Sequence, residues 1–109
     1  MQLMTREIEH ALLAAPKDQP PEVTPVVVKY FCPWGSATWY VTEGERQDDG
    51  DWMLFGFADL FGDPTCAELG YTMLSELEAV RGPGGLTIER DLYLPATTLA
   101  EAMRQHGKL

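Results

Sequence analysis

Apolar residues recur at helical spacing in the first part of the chain and at the two-residue spacing of strands in its middle. Ile8 and Leu12 lie one helical turn apart on the same face. Thr5 stands where its hydroxyl can accept a hydrogen bond from the first turn, and Pro16 cannot continue a helix. The pattern predicts an N-terminal helix over residues 1–15.

Prolines and then β-branched residues dominate the segment that follows. Residues 16–25 hold four prolines, and we expect a semi-rigid surface linker there because proline fixes φ and favours an extended predecessor. Segments 26–32, 37–42 and 52–58 are rich in β-branched and aromatic residues, with turn-forming residues between them. They predict three consecutive antiparallel strands, a β-meander.

The second half of the chain alternates between short strands and short helices. Residues 87–94 have the period of a strand, and residues 68–72 could form a short one. Helices are predicted to begin at Ser75 and at Thr98, because each of these residues has a glutamate three positions later, the spacing of a capping box.

This order of elements predicts an α+β fold. We expect a single domain at residues 26–109, with an antiparallel sheet of four to five strands that begins with the meander and carries its helices on one face. The helix at 1–15 and the linker at 16–25 precede it. A chain of 109 residues is long enough for one domain with its own hydrophobic core.

Composition narrows the classes of function. The chain has 17 acidic and 8 basic side chains and a net charge of −9, which argues against direct binding to the nucleic-acid backbone. It contains no long apolar run and no signal-like N-terminus, so we expect a cytoplasmic protein that does not bind membranes. Its two cysteines and two histidines lack the spacing of a zinc site, and no metal or cofactor is predicted.

Four strings in the second half are specific enough to suggest a family: ELGY from Glu68, LSELEA from Leu74, RGPGGL from Arg81 and IERDL from Ile88. Together they resemble domain of unknown function 2958, a family described as plasmid-related bacterial proteins. The resemblance covers residues 25–105, so that the N-terminal helix looks like an addition. It implies a mobile-element context and no assigned reaction.

Charged residues of these strings form one candidate site: Glu68, Arg81, Arg90 and Asp91. Arg90 shares its predicted strand face with Ile88 and is expected to be buried, where an unpaired charge is costly. Glu68 or Glu76 is the expected partner. The cluster is interpreted as an ion-pair brace between helix and sheet, and the alternative is a polar active site.

A second candidate is an acidic segment that we expect to form the loop between the second and third strands. Its acids are Glu43, Glu45, Asp48, Asp49 and Asp51. With Asp59 and Asp63, seven acids and one base, Arg46, fall between positions 43 and 63. The segment is either a solvated loop or a patch that binds a basic partner. Trp34, in the turn of the first hairpin, is expected to be exposed and available for contact.

These features favour a non-enzymatic interaction protein of a plasmid or other mobile element. It would bind a basic protein partner through Trp34 and the acidic segment, as an inhibitor or a mimic of DNA. The alternative is an enzyme, or a regulatory module of one, that uses the cluster of Glu68, Arg81, Arg90 and Asp91.

Overall fold

A computed structural model describes residues 1–60 and 67–108 of the chain. The predicted loop positions Gly62, Asp63 and Pro64, together with Cys66, lie outside the described residues. The elements are α1 (Arg6–Ala14), β1 (Val28–Phe31), β2 (Thr38–Arg46), β3 (Trp52–Asp59), β4 (Ala67–Met73), α2 (Leu74–Ala79), β5 (Glu89–Arg90) and α3 (Leu99–Gln105). They form an α+β domain with one antiparallel sheet in the order β4-β3-β2-β1-β5. The predicted fold class is confirmed.

The helices cover both faces of this sheet, not one as expected. Tyr30, Val41 and Leu54 point to the side where α1 and α2 pack, which we call the α1 face. Tyr40 and Phe57 point to the opposite side, the α3 face, where they pack with α3. Strand residues alternate between the two sides, and apolar residues occupy both, so each face needs its own cover.

Helix α1 belongs to the same packing unit as the sheet. The Thr5 hydroxyl accepts a hydrogen bond from the Ile8 amide at 3.2 Å, the cap that the sequence predicts. Ile8 and Leu12 are buried, as is Leu3, and all three join the core of the α1 face. The linker is also anchored, since the Thr24 carbonyl accepts a hydrogen bond from the Leu99 amide of α3 at 2.8 Å.

A close approach of β2 and β3 explains the glycine at position 56. The register between these strands shifts between Val41 and Glu43, where β2 has a β-bulge. A Cβ atom at Gly56 would collide with the carbonyl oxygen of Tyr40. The strands therefore pair at this point only because residue 56 has no side chain.

The two short helices differ in how well local signals predict them. At α3, the predicted capping box is confirmed: the Thr98 hydroxyl accepts from the Glu101 amide at 3.2 Å. At α2, the predicted start at Ser75 is wrong, because the helix begins at Leu74 and Glu76 accepts a hydrogen bond from the Met73 amide at 3.4 Å. Ser75 is engaged elsewhere.

Strand β5 is much shorter than the strand predicted at 87–94. The Asp91 amide still donates to the Lys29 carbonyl of β1 at 2.9 Å. The Asp91 carboxylate then accepts from the Tyr93 amide at 2.8 Å, a local turn that ends the pairing. Leu92, which the predicted strand would place on the same buried face as Ile88 and Arg90, is 57% exposed.

Candidate functional site

The acidic segment that the sequence predicts as one loop is divided between a strand and a turn. Strand β2 continues past the bulge, so that Glu43 pairs with Phe55 of β3 and Glu45 pairs with Met53. The loop prediction is wrong for these two glutamates. Directly paired residues share a face, so both carboxylates lie on the α3 face of the sheet.

The other three acids lie in or beside the β2–β3 turn. Asp48 and Asp49 are exposed there. Asp51 connects the turn to α2, because its carboxylate accepts hydrogen bonds from the Ser75 hydroxyl at 2.5 Å and from the Ser75 amide at 3.1 Å. The bond from the Ser75 hydroxyl lowers the pKa of Asp51. Asp51 thus holds the start of α2, a contact that no local signal predicts.

Trp34 is half-buried, not an exposed turn tip. Its indole ring packs against Gly82, where a Cβ atom would lie 2.5 Å from the ring. The ring also contacts the core of the α1 face. Gly82 therefore covers part of a ring that the sequence predicts to be exposed, and Trp34 packs against the core.

The predicted cluster of charged residues is not assembled. Glu68 lies on β4 and Arg90 on β5, which are the two opposite edges of the sheet. Asp91 pairs with Lys29 at 3.7 Å, and Arg81 donates to the carbonyl oxygen of Glu78 at 2.6 Å. The cluster is expected from the sequence because alternation predicts which face of a strand a residue occupies. Alternation does not predict which edge of the sheet the strand occupies, and the error follows from that. The enzyme alternative loses the constellation on which it rests.

Arg90 forms no ion pair with Glu68 or Glu76. Its Nε atom is buried and has no hydrogen-bond partner within residues 1–60 and 67–108. Arg90 lies on the α1 face beside Tyr30, whose hydroxyl donates to the Leu3 carbonyl at 2.7 Å. Burial raises the pKa of Tyr30 far above its usual range, while the positive charge of Arg90 acts in the opposite direction.

The structure adds a polar chain that the sequence did not reveal. His106 Nδ1 lies 2.7 Å from the Asp59 carboxylate, and His106 Nε2 lies 2.9 Å from the Tyr40 hydroxyl. A neutral ring that donates a hydrogen bond from Nδ1 to the carboxylate accepts one at Nε2 from the tyrosine hydroxyl. The partners of His106 are 47 and 66 positions away in sequence, so no local pattern could identify them.

An Asp–His–Tyr chain resembles the arrangement that activates a nucleophile, but its burial gives it another role. Tyr40 is 2% exposed and Asp59 is 1% exposed, and burial raises the pKa of Tyr40. A buried hydroxyl cannot reach a substrate. This hydrogen-bonded chain of side chains instead attaches the end of α3 to the sheet, as polar groups with satisfied hydrogen bonds do in a core.

The part of the α3 face that α3 does not cover combines carboxylates with aromatic rings. Tyr71 of β4, Phe55 of β3 and Glu43 of β2 form one row across three strands. The ring centroids of Phe55 and Tyr71 are 5.0 Å apart, and Tyr71 is 68% exposed. With Glu45 in the next row and Asp18 from the linker, these residues form the surface that we call the acid–aromatic face.

Two adjoining cavities mark this surface. One, of about 200 Å³, is lined by Asp18, Glu43, Glu45, Phe55 and Tyr71, together with Lys17 and others. The other, of about 170 Å³, shares Asp18, Glu43, Phe55 and Tyr71 with it. The first cavity thus has three carboxylates and one ammonium group in its lining. It suits a cationic side chain better than an anionic one.

Neither a metal site nor a membrane span is found in the described part of the chain. No three His, Cys, Asp or Glu side chains of residues 1–60 and 67–108 are placed to hold a metal ion together. No described helix has the length and apolar character that a bilayer crossing requires. Cys32 is a buried free thiol.

Comparison with protein families gives one match. The family model described as "Protein of unknown function (DUF2958)" matches residues 3–108. The chain belongs to this family. The DUF2958 match includes α1, so this helix is not an addition to the family's domain as the shorter resemblance implied. No curated protein and no solved structure matches the chain significantly.

Proposed function

We propose that this protein is a non-enzymatic interaction protein whose acid–aromatic face binds a basic segment of a partner protein. The observation that carries the proposal is the row of Tyr71, Phe55 and Glu43, which places two partly exposed rings beside a carboxylate on an uncovered sheet face. A lysine or arginine side chain can lie on such rings while its charged end reaches the carboxylates.

Known magnitudes support a cationic ligand. A cation over an exposed aromatic ring contributes about 0.5–1 kcal/mol, and an exposed ion pair contributes up to about 1 kcal/mol. Several such contacts along one segment add up to a larger binding free energy than any single contact provides. The net charge of −9 adds long-range attraction, which raises the association rate with basic proteins at low salt.

The other acids of the segment have different parts in the proposal. Asp48 and Asp49 extend the negative field toward the β2–β3 turn, where they are exposed. Asp51 is engaged by Ser75 and shapes the surface without being free to bind. Trp34 is left out of the contact surface because its ring packs against Gly82.

We further propose that the partner is a DNA-processing or defence protein of the host cell. In this proposal a plasmid or other mobile element encodes the protein, which acts in the host cytoplasm. The resemblance to plasmid-related proteins supports the context. Carboxylates arranged along a strand offer a basic, DNA-binding surface the kind of negative charge that phosphates offer it. Binding would then inhibit the partner by occupying that surface.

A peptide titration tests the proposal. The probe is a short, fluorescein-labelled peptide of alternating lysine and valine, measured by anisotropy at low and moderate salt. Glu43→Gln with Glu45→Gln is expected to weaken binding roughly 5- to 30-fold, as lost contacts of about 1–2 kcal/mol imply. Asp48→Asn with Asp49→Asn removes the same charge from the turn and is the matched control, with an expected loss below about 2-fold.

Equal losses in the two double variants would show that net charge alone attracts the peptide. No binding by the unaltered protein at low salt would overturn the proposal itself.

A further inference from the structure

The two edges of the sheet differ in how they are protected. At one edge, β5 pairs over only Glu89–Arg90, and the Arg90 amide donates to the Met1 sulfur at 3.1 Å. At the other edge, β4 runs over Ala67–Met73 and pairs with β3 along its whole length. Among residues 1–60 and 67–108, the sheet order gives β4 no second strand neighbour.

Strand β4 has few of the features that usually discourage edge pairing. It contains no proline and one charged residue, Glu68. Its residues from Glu68 to Tyr71 are exposed, including Leu69 at 43%. Natural sheets usually shorten, charge or cover such an edge, because its outward amide and carbonyl groups can pair with another chain.

From these observations we propose that the basic partner segment binds as a sixth strand beside β4. The proposal rests on the proposed function and specifies its geometry: backbone hydrogen bonds to β4 supply affinity, and alternate side chains supply specificity, as in other cases of strand addition.

The α1 face beside β4 accepts apolar side chains of the added strand. A cavity of about 140 Å³ is lined there by residues that include Trp39, Gly56, Gly70 and Leu77. A Cβ atom at Gly70 would meet nothing within 4 Å, so the space above this glycine is open. A valine or larger apolar side chain opposite Gly70 would enter that space, as cross-strand partners of edge glycines do.

The α3 face accepts basic side chains of the same strand. Residues next to the one opposite Gly70 project to the other side of the sheet, beside Leu69 and Tyr71. A lysine there lies against the Tyr71 ring and extends toward the acid–aromatic face. The predicted partner is therefore an extended segment that alternates between basic and apolar residues.

Charge selects such a segment over a second copy of this chain. Pairing two β4 strands would bring together two molecules that each carry a net charge of −9. Repulsion opposes that association, whereas a basic segment is attracted by the same field.

Backbone methylation of the lysine–valine peptide tests strand addition without altering the protein. Two further peptides are N-methylated at every lysine or at every valine. One of these sets points its amides toward β4, and its methylation is expected to weaken binding at least about 10-fold, since it removes several backbone hydrogen bonds. Methylation of the other set is expected to change affinity less than about 3-fold. In parallel, bound unmethylated peptide should slow hydrogen exchange at alternate amides of β4 by about 10-fold or more.

A pair of variants locates the edge. Leu69→Lys places a like charge beside the added strand and is expected to weaken binding by about 5-fold or more. Leu86→Lys makes the same change at a residue that is also 43% exposed but shortly precedes β5, the strand at the opposite edge of the sheet, and should have little effect.

The outcomes separate the two proposals. If the peptide binds with the expected dependence on Glu43 and Glu45, but both methylated peptides bind equally and β4 amides exchange as before, strand addition is wrong and the proposed function stands. If the unmethylated peptide does not bind at all, the proposed function fails. A dimer through β4 in the absence of peptide, seen by sedimentation and by protected β4 amides, would also overturn strand addition.

Discussion

The two faces of one sheet are built for different purposes. Away from β4, the α1 face is closed by three apolar side chains of the N-terminal region, Leu3, Ile8 and Leu12, and by Leu74 and Leu77 of α2. The α3 face is closed over only part of its area, around Tyr40 and Phe57. Apolar burial stabilises the α1 face. On the α3 face, hydrogen bonds of His106 attach α3 to the sheet, and an acidic, aromatic surface stays uncovered. Stability and binding can therefore be altered separately.

The largest expected effect comes from the α1 face. Leu12 is fully buried between the helix and the sheet, where it lies close to Trp52 and Leu54. Leu12→Ala is expected to lower the free energy of unfolding by about 2–5 kcal/mol, because it removes buried methyl groups and leaves a cavity. Leu13→Ala, at a neighbouring residue that is 64% exposed, is the control.

Urea unfolding of the two variants gives the measurement. If Leu12→Ala loses less than about 1 kcal/mol, α1 does not contribute to the core as the buried side chains indicate. The same result would favour a folded unit that begins at residue 26.

The next largest effect comes from the polar chain of the α3 face. His106→Ala removes the ring between the Asp59 carboxylate and the Tyr40 hydroxyl, and is expected to lower the free energy of unfolding by about 1–3 kcal/mol. His10→Ala, at an exposed histidine of α1, should change it by less than about 0.5 kcal/mol. Urea unfolding again measures both. Equal, small losses would mean that the hydrogen bonds of His106 do not hold α3 in place.

Local signals in the sequence predict the helices and strands of this molecule better than the contacts between them. The Thr5 and Thr98 caps and the three-strand meander depend on residues a few positions apart, and the structure confirms them. The bond from Ser75 to Asp51 and the contacts of His106 join positions far apart in sequence. Periodicity carries no information about such pairs.

The candidate site shows the same division. The sequence identifies Glu43 and Glu45 as acids of one segment, but the bulge after Val41 determines that they lie beside Phe55 on a sheet face. A pattern of alternation cannot foresee an extra residue that shifts the register. The error at Glu68 and Arg90 has a related cause, because strand order is a property of the whole sheet.

A smaller effect, which depends on pH, comes from the buried tyrosines. Burial raises the pKa of Tyr30 and of Tyr40 above the usual value near 10. The folded protein therefore keeps these protons where the unfolded chain loses them, so their contribution to stability is complete below about pH 10 and declines as the pH rises above it. In that range each tyrosine lowers the free energy of unfolding by about 1.4 kcal/mol per pH unit.

Tyr30→Phe separates the two contributions. Near neutral pH it is expected to cost about 1 kcal/mol, because the hydrogen bond to the Leu3 carbonyl is lost. Above about pH 10 its stability should fall less steeply than that of the unaltered protein, so the difference narrows. Urea unfolding between pH 7 and 11 measures both slopes. Parallel curves would show that Tyr30 does not keep its proton through burial.

The smallest expected effect on stability falls on the uncovered part of the α3 face. Tyr71→Lys should change the free energy of unfolding by less than about 0.5 kcal/mol, since the side chain is 68% exposed. It should nevertheless weaken binding of the lysine–valine peptide by about 10-fold, because it removes a ring and adds a like charge beside Glu43 and Phe55. Tyr93→Lys changes the net charge equally at a residue that is 89% exposed and lies in the segment after β5. It therefore reports the long-range electrostatic part alone, expected to be below about 2-fold. If both variants lose the same affinity, the two faces differ in stability but not in binding, and the acid–aromatic face is an ordinary solvated surface.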